Sequence, residues 1–357
     1  MKKVPVIDVT DLYHPHQDPG DNFDLLTAYG LPEIDLRAVI LDITEEFRWE
    51  GFTHPLYGEQ TDGPREPGII PVSQCNYLFG RAVPWGIGPF RRMRSETDPI
   101  DDASPFMDGV ELLLRTLRDA EERVHILSFG SARVIAAAFN REPALLREKT
   151  ACVHLCAGAS GPYLEWNVAL DVHAFVRLLR SGLPVTLYPC ATAEGPFSIG
   201  PHNTFWRLRD LTFIREMDPP LRRYLTYAFT RSTRSDFLRY LETEPEDAGL
   251  PRRIGTHNVW ETAVWMQAAG RTLQQTADGY RYLPAGEGGA PALREELLPC
   301  RVTAADDGLF SFTPAEGAAP FRIYRRDTPP ELESMLAEAL AALYRGYRSR
   351  LSDVEAG

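Results

Sequence analysis

Five aspartates, Asp8, Asp11, Asp18, Asp21 and Asp24, fall within 17 residues near the start of the chain. Carboxylates gathered so closely repel one another unless a cation or protons neutralise them. Oxygen donors of this kind suit a hard ion such as calcium, held at about 2.3–2.6 Å. The same residues also read as ordinary turn material with an aspartate helix cap. Both readings stay open from composition alone. The spacing is not that of a calcium-binding helix–loop–helix, because no Glu closes a loop of about 12 residues.

Two further groups carry chemistry. Glu165-Trp166-Asn167, followed by Asp171, places two polar groups around an indole. Such a trio can hydrogen-bond the vicinal hydroxyls of a sugar while the indole packs beneath. It also reads as a helix start capped by Asn167 or Asp171. Thr256-His257-Asn258-Val259-Trp260-Glu261 sets a histidine among polar groups before an apolar helical pattern. A histidine that titrates near neutrality can donate a proton to a leaving group. It equally reads as a helix-start histidine beside an Asn cap. His14 and His16, near the aspartates, are weaker metal-ligand candidates. His125 and His154 alternate inside apolar runs and read as core residues with satisfied ring nitrogens. No phosphate loop ending in Gly-Lys-Ser/Thr and no GxGxxG after the first strand occurs. Gly86-Ile87-Gly88 is too short to mark a dinucleotide site.

The aspartates and these groups need a scaffold. Val4–Val9 reads as a first strand, and a polar loop runs from Asp11 to Asn22. Helical periodicity then starts at Phe23 and stops at Gly30. A second strand covers Leu36–Ile43. Strand, loop, helix and strand make a βαβ unit with a parallel pair and a right-handed crossover. Residues 50–70 read as an insertion or flexible loop. Strands are expected near Ala82–Ile87, Val124–Phe129, Cys152–Cys156 and Val185–Tyr188, with helices at Gly109–Ala120, Ala132–Phe139 and Asp171–Ser181. That alternation predicts an α/β fold: a mostly parallel, Rossmann-like sheet covered by helices on both faces. In such a sheet ligands bind at the carboxyl ends of the strands, where Asp11 falls. Residues 205–250 read as a helical cap or insertion. Arg322–Arg326 reads as a late strand and Pro330–Arg348 as a terminal helix. With no repeat and no convincing linker, one domain is expected over residues 1–357.

Composition narrows the class. The chain has 357 residues, of which 44% are hydrophobic, and a net charge of −12. That supports a sizeable core and disfavours partners rich in phosphate, whether nucleic acid or anionic lipid. The five cysteines are scattered without a CxxC pair, which points to core packing in a reducing compartment. Asp8 interrupts the N-terminal apolar stretch, and no run of about 18 apolar residues exists. A cytoplasmic location is the expectation.

In order, these pieces resemble the inosine/uridine-preferring nucleoside hydrolase family. DNFDLLTAYGLPEIDLRAVILDIT is similar to the stretch after that family's aspartate signature. VHILSFGSARVIAAAFNREPALLREKTACVHLCAGA is similar to its central strand–turn–helix–strand. EWNVALD is similar to its sugar-binding Glu-Phe-Asn segment, GTHNVWETAV to its late His-Asp segment, and RIYRRDTPPELESMLAEALAAL to its last strand and helix. The likeness runs along nearly the whole chain.

The resemblance implies a nucleoside-hydrolase-like fold and cleavage of the N-glycosidic bond of a ribonucleoside or related N-riboside by a calcium-activated water. It implies Asp11 as metal ligand and base, with Asp21 and Asp18 as further metal and diol ligands. It implies the Phe129 carbonyl as a metal ligand, Glu165, Trp166 and Asn167 around the ribose, and His257 assisting the departing base. Asn258 stands where the family has an anionic calcium ligand, and so would bind metal and substrate as a neutral amide. The family's Asp-Thr-Asp-Pro-Gly-x-Asp-Asp run is stretched here by LYHPHQ between Asp11 and Asp18, and Trp166 replaces a Phe. The altered metal shell motivates an alternative: a non-catalytic protein that holds a nucleoside or sugar on the same fold. A hydrolase of another glycoside, using Asp and Glu as acid and base, is a third reading. The expected partner is a small-molecule nucleoside or sugar, and a homo-oligomer stays open.

Overall fold

A computed structural model describes residues 2–44, 53–54, 58–59, 65–243, 247, 249–287 and 289–355. Most of the insertion expected at 50–70 lies outside the described residues. The first half of the chain alternates as the hydrophobic pattern requires. It runs β1 (Val4–Thr10), α1 (Pro19–Gly30), β2 (Ile34–Leu41), α2 (Ile69–Phe79), β3 (Trp85–Ile87), α3 (Gly109–Asp119) and β4 (Val124–Ser128). Then come α4 (Arg133–Arg141), α5 (Pro143–Lys149), β5 (Thr150–Leu155), α6 (Trp166–Leu170), α7 (Val172–Leu179) and β6 (Val185–Leu187). A short β7 (Trp206–Leu208) and a 3-10 turn at Thr212–Glu216 precede α8 (Pro219–Phe229), α9 (Phe237–Thr243) and α10 (Leu250–Ile254). β8 (His257–Val259) and α11 (Thr262–Ala268) follow. Two hairpins come next, β9 (Arg271–Thr276) with β10 (Gly279–Pro284), and β11 (Glu295–Ala304) with β12 (Phe310–Pro314). β13 (Phe321–Arg326), α12 (Leu332–Gly346) and α13 (Arg350–Glu355) complete the chain.

The main sheet has nine strands in the order β12-β11-β13-β6-β5-β4-β1-β2-β3. Every pairing from β3 through to β13 is parallel, and β11 and β12 extend it in antiparallel fashion. The run β3-β2-β1-β4-β5-β6 is the doubly wound order, with its switch point between β1 and β4. Side chains alternate across the sheet and build two cores. Val6, Val39 and Leu127 join α1, α2, α8, α11 and α12 on one face. Ile7, Ile40 and Ile126 join α3, α4 and α7 on the other. The strands are therefore apolar on both sides, as a covered parallel sheet demands. Among the described residues no helix is long and apolar enough to cross a membrane.

Two differences from the sequence reading bear on the site. The first helix starts at Pro19, not at Phe23. Asp18 is its N-cap and accepts the Gly20 N–H at 2.7 Å, and Pro19 fills the first turn. Asp21 and Asp24 therefore ride on a helix, three positions apart on one face. Second, residues 256–259 do not open a helix: β8 pairs antiparallel with β7, His257 opposite Leu208 and Asn258 opposite Arg207. Of the stretch 205–250 expected to be helical, Trp206–Leu208 is strand β7, while α8 and α9 pack over α1 and α2 and α10 packs on α8.

Candidate active site

The switch point fixes the location of the site. Asp11 directly follows β1 and Phe129 directly follows β4, so both emerge where neighbouring connections diverge. Between them lies a cavity of about 170 Å³ lined by Asp11, Gln17, Asp18, Asp21, Phe129, Tyr163, Leu164, Glu165, Trp166, Asn167, Ala169, Cys190, Pro196, Trp260 and Glu261. Among these are Asp11, Asp18, Asp21, Glu165, Trp166, Asn167 and Phe129, the residues the sequence singled out. His257 and Asn258 are not.

The carboxylates face one another at close quarters. Gln17 Nε2 donates to Asp11 Oδ2 at 2.9 Å and steers it. Asp42, at the end of β2, lies just beneath. A Cβ added to Gly130 would meet Asp42 Oδ2 at 3.0 Å and Asp11 Cβ at 3.3 Å, so only glycine leaves room there. Burial, then the charges of Asp42, Asp18 and Glu261, push Asp11 well above the usual carboxylate range. Burial and the charges of Asp11, Asp18 and Glu261 do the same to Asp21. Asp21 Oδ2 is buried with no hydrogen-bond partner, a costly state for an anionic oxygen. Asp24 shares a hydrogen bond with Glu261, and burial with the Glu261 charge raises it well above the usual carboxylate range. Glu261 itself is pushed up to about 7 by burial and by Asp18.

Glu165 and Asn167 sit on the opposite wall. Glu165 caps α6: Oε2 accepts the Gly158 N–H at 2.8 Å and Oε1 accepts the Asn167 N–H at 3.0 Å. The segment does open a helix, but its cap is Glu165 rather than Asn167 or Asp171, and the same residue lines the cavity. Burial raises Glu165 to about 7 while the backbone donors pull against it. Asn167 Nδ2 donates to the carbonyls of Cys156 (3.0 Å) and Phe129 (3.3 Å). Its amide nitrogen is thus engaged by backbone, and its oxygen is the group it can offer a hydroxyl. The Phe129 carbonyl, which the resemblance assigns to a metal, accepts that amide with one lone pair. Asp171 caps α7 and forms a fully buried ion pair with Arg133 at 2.8 Å, away from the cavity.

The late segment needs correction. His257 is buried behind the N-terminus of α1, with its ring 5.9 Å from Phe23 and Nδ1 3.8 Å from Asp18 Oδ1. Burial lowers its pKa against the pull of Asp18. Asn258 lies half-buried on β8 and does not line the cavity. The residues that reach the cavity from this segment are Trp260 and Glu261. Trp260 Nε1 donates to the Cys190 carbonyl at 2.9 Å, and its ring packs on Phe205 at 5.3 Å. The sequence reading passed over both. Glu261 looks like a helix-opening glutamate, and only the β7–β8 pairing shows that it is aimed at the aspartates. His14 and His16 also turn away. His14 Nε2 lies 2.7 Å from the Ser232 carbonyl, and His16 Nδ1 lies 3.1 Å from that of Ala228. His125 and His154 are linked to each other at 2.9 Å, and His154 to Tyr188 at 3.1 Å.

The donor set fits a hard cation in its chemistry. Five carboxylates line one cavity, and one oxygen, Asp21 Oδ2, is buried and unmatched. Among the described residues, however, no three His, Cys, Asp or Glu side chains converge as ligands on one point.

No family model matches the chain. It is similar to the pyrimidine-specific ribonucleoside hydrolase RihA of Escherichia coli O1:K1, at 36% identity over 182 residues, 48% of this chain and 57% of that protein. It is likewise similar to RihA of Escherichia fergusonii, 35% identical with the same coverage. The match therefore spans little more than half the length of either relative. Among solved structures, the plant nucleoside hydrolase PpNRh1 superposes with a TM-score of 0.51 at 16% identity, over 96% of this chain and 98% of that one. That likeness speaks for the fold.

Proposed function

We propose that this chain, a divergent member of the nucleoside hydrolase family, cleaves the N-glycosidic bond of a ribonucleoside or related N-riboside. The observation that carries the reading is the cavity itself, which sets Asp11, Asp18, Asp21 and Glu261 against Glu165 and Asn167, with Trp166 and Trp260 as walls. Breaking a glycosidic bond leaves positive charge on the sugar, and a pocket of carboxylates stabilises that charge more than it does the neutral substrate. Asp11, oriented by Gln17, is placed to take a proton from the attacking water. Asn167 offers its amide oxygen to a ribose hydroxyl, and Glu165 fixes the loop that carries it. The indoles of Trp166 and Trp260 pack against the flat faces of substrate. His257 is a positioning residue in this account, holding Asp18 and the first turn of α1.

Calcium, held by Asp11, Asp18, Asp21 and Glu261, would neutralise the cluster and acidify a bound water. Asn258 has no part in that set. The sugar reading is tested by dissociation constants for a ribonucleoside and its 2′-deoxy analogue with wild type and Asn167→Ala. A hydroxyl left without a partner in a closed pocket costs about 1–3 kcal/mol. The variant should therefore weaken the ribonucleoside far more than the deoxy analogue. Equal losses on both would remove the assignment of Asn167 to the sugar.

A further inference from the structure

Two thiols lie at the cavity, Cys190 in its wall and Cys156 behind it. Cys156 and Cys190 follow the ends of β5 and β6, and their sulfurs are 3.6 Å apart. Both are buried, and Cys190 lines the cavity. Their backbones carry the site. The Cys156 carbonyl accepts from Asn167 Nδ2, and the Cys190 carbonyl accepts from Trp260 Nε1. The Cys190 N–H donates to the Gly158 carbonyl at 2.9 Å, while the Gly158 N–H donates to Glu165. The pair therefore stands inside the frame that aims Glu165, Asn167 and Trp260.

We propose that Cys156 and Cys190 form an oxidation site, a dithiol that a small peroxide entering the cavity converts into a disulfide. The Cys190 sulfur attacks one peroxide oxygen, the O–O bond breaks, and the departing hydroxide leaves as water with the thiol proton. Cys190 is then a sulfenic acid. The Cys156 sulfur displaces its hydroxyl, the S–S bond forms, and a second water carries off the Cys156 proton. The two sulfurs lose two electrons and the two peroxide oxygens gain them. A disulfide needs its sulfurs about 2.0 Å apart, so closure draws the two strand ends together. Asn167 and Trp260, hydrogen-bonded to those residues, move with them. The neighbouring thiol and burial hold Cys190 well above the ordinary thiol range, so the reaction is slow and needs peroxide in excess.

The full chain is treated with hydrogen peroxide, its remaining thiols are blocked, and peptides are mapped by mass. A Cys156–Cys190 linkage is expected ahead of oxidation at Cys75, Cys152 or Cys300. A shift in tryptophan fluorescence is expected with it, reversed by dithiothreitol. Cys156→Ala should show neither linkage nor reversible shift. The mapping stands apart from turnover, so it separates this proposal from the hydrolase reading. Oxidation that leaves Cys156 and Cys190 unlinked overturns the site. Linkage with unchanged fluorescence overturns its coupling to Trp260.

Discussion

Asp21 Oδ2 shows what the site lacks in its own side chains: a buried carboxyl oxygen with no donor, under the charges of Asp11, Asp18 and Glu261. A divalent cation supplies the missing positive charge more directly than protonation does. Of these ligands Glu261 is the one the sequence hid. It stands three residues past Asn258, and the two make opposite predictions. Replacing Glu261 with Gln removes a charge from the cavity wall, so calcium affinity should fall by tenfold or so, about 1.4 kcal/mol by the usual conversion. Introducing Asp at Asn258 adds a charge at a strand position outside the cavity lining, and calcium affinity should hold. Calorimetry on the two variants decides between them. Tightening by Asn258→Asp with no loss in Glu261→Gln would restore Asn258 to the metal shell.

The first turn of α1 is where element and site meet. Gly20 packs so closely on His257 that an added Cβ would stand 2.9 Å from its Cε1 and 3.2 Å from Asp18 Oδ1. Alanine gains about 1 kcal/mol of helix propensity. Overpacking against a buried ring costs about 1–3 kcal/mol. Gly20→Ala should therefore lower the urea midpoint, and His257→Ala in the same chain should recover part of the loss. An unchanged midpoint for the single variant would mean that His257 is free to move. This turn also shows what the sequence could reveal. The βαβ unit was legible because apolar runs and Gly30 punctuate it. The helix start was misread because periodicity begins at Phe23, whereas the cap is set by Asp18-Pro19, before any apolar residue. Glu165, Trp166 and Asn167 were legible as a group, because their types stand out on a loop at the end of a strand. The His257 segment was misread because local polarity suggested a helix start, and the partner that makes it a strand, β7, lies some 50 residues earlier. Long-range pairing of that kind leaves no local signal.

Across the whole molecule, a cluster of raised carboxyls ties stability to pH. A carboxyl with a raised native pKa holds its proton more tightly folded than unfolded. Its contribution is present below the unfolded value and is lost as pH rises through that value to the native one. Glu165 and Glu261 rise to about 7, and Asp8, by burial alone, to about 8. Without a divalent cation, Tm should fall between about pH 4 and pH 8, the span from ordinary carboxyl values to these. Calcium should flatten the upper part of that slope by favouring the ionised native cluster. Scanning calorimetry at several pH values, with calcium or with chelator, reads both effects. A Tm that climbs steadily to pH 8 in chelator would mean that the cluster is already compensated. The central claim, cleavage of an N-ribosidic bond with Asp11 as base, has a more direct test. The purified chain is incubated with uridine and inosine in the presence of calcium, and free base is measured for wild type and Asp11→Ala. Wild type should release base and ribose from at least one nucleoside, and Asp11→Ala should release none at unchanged Tm. Binding without base release by wild type, or full turnover by Asp11→Ala, would contradict it.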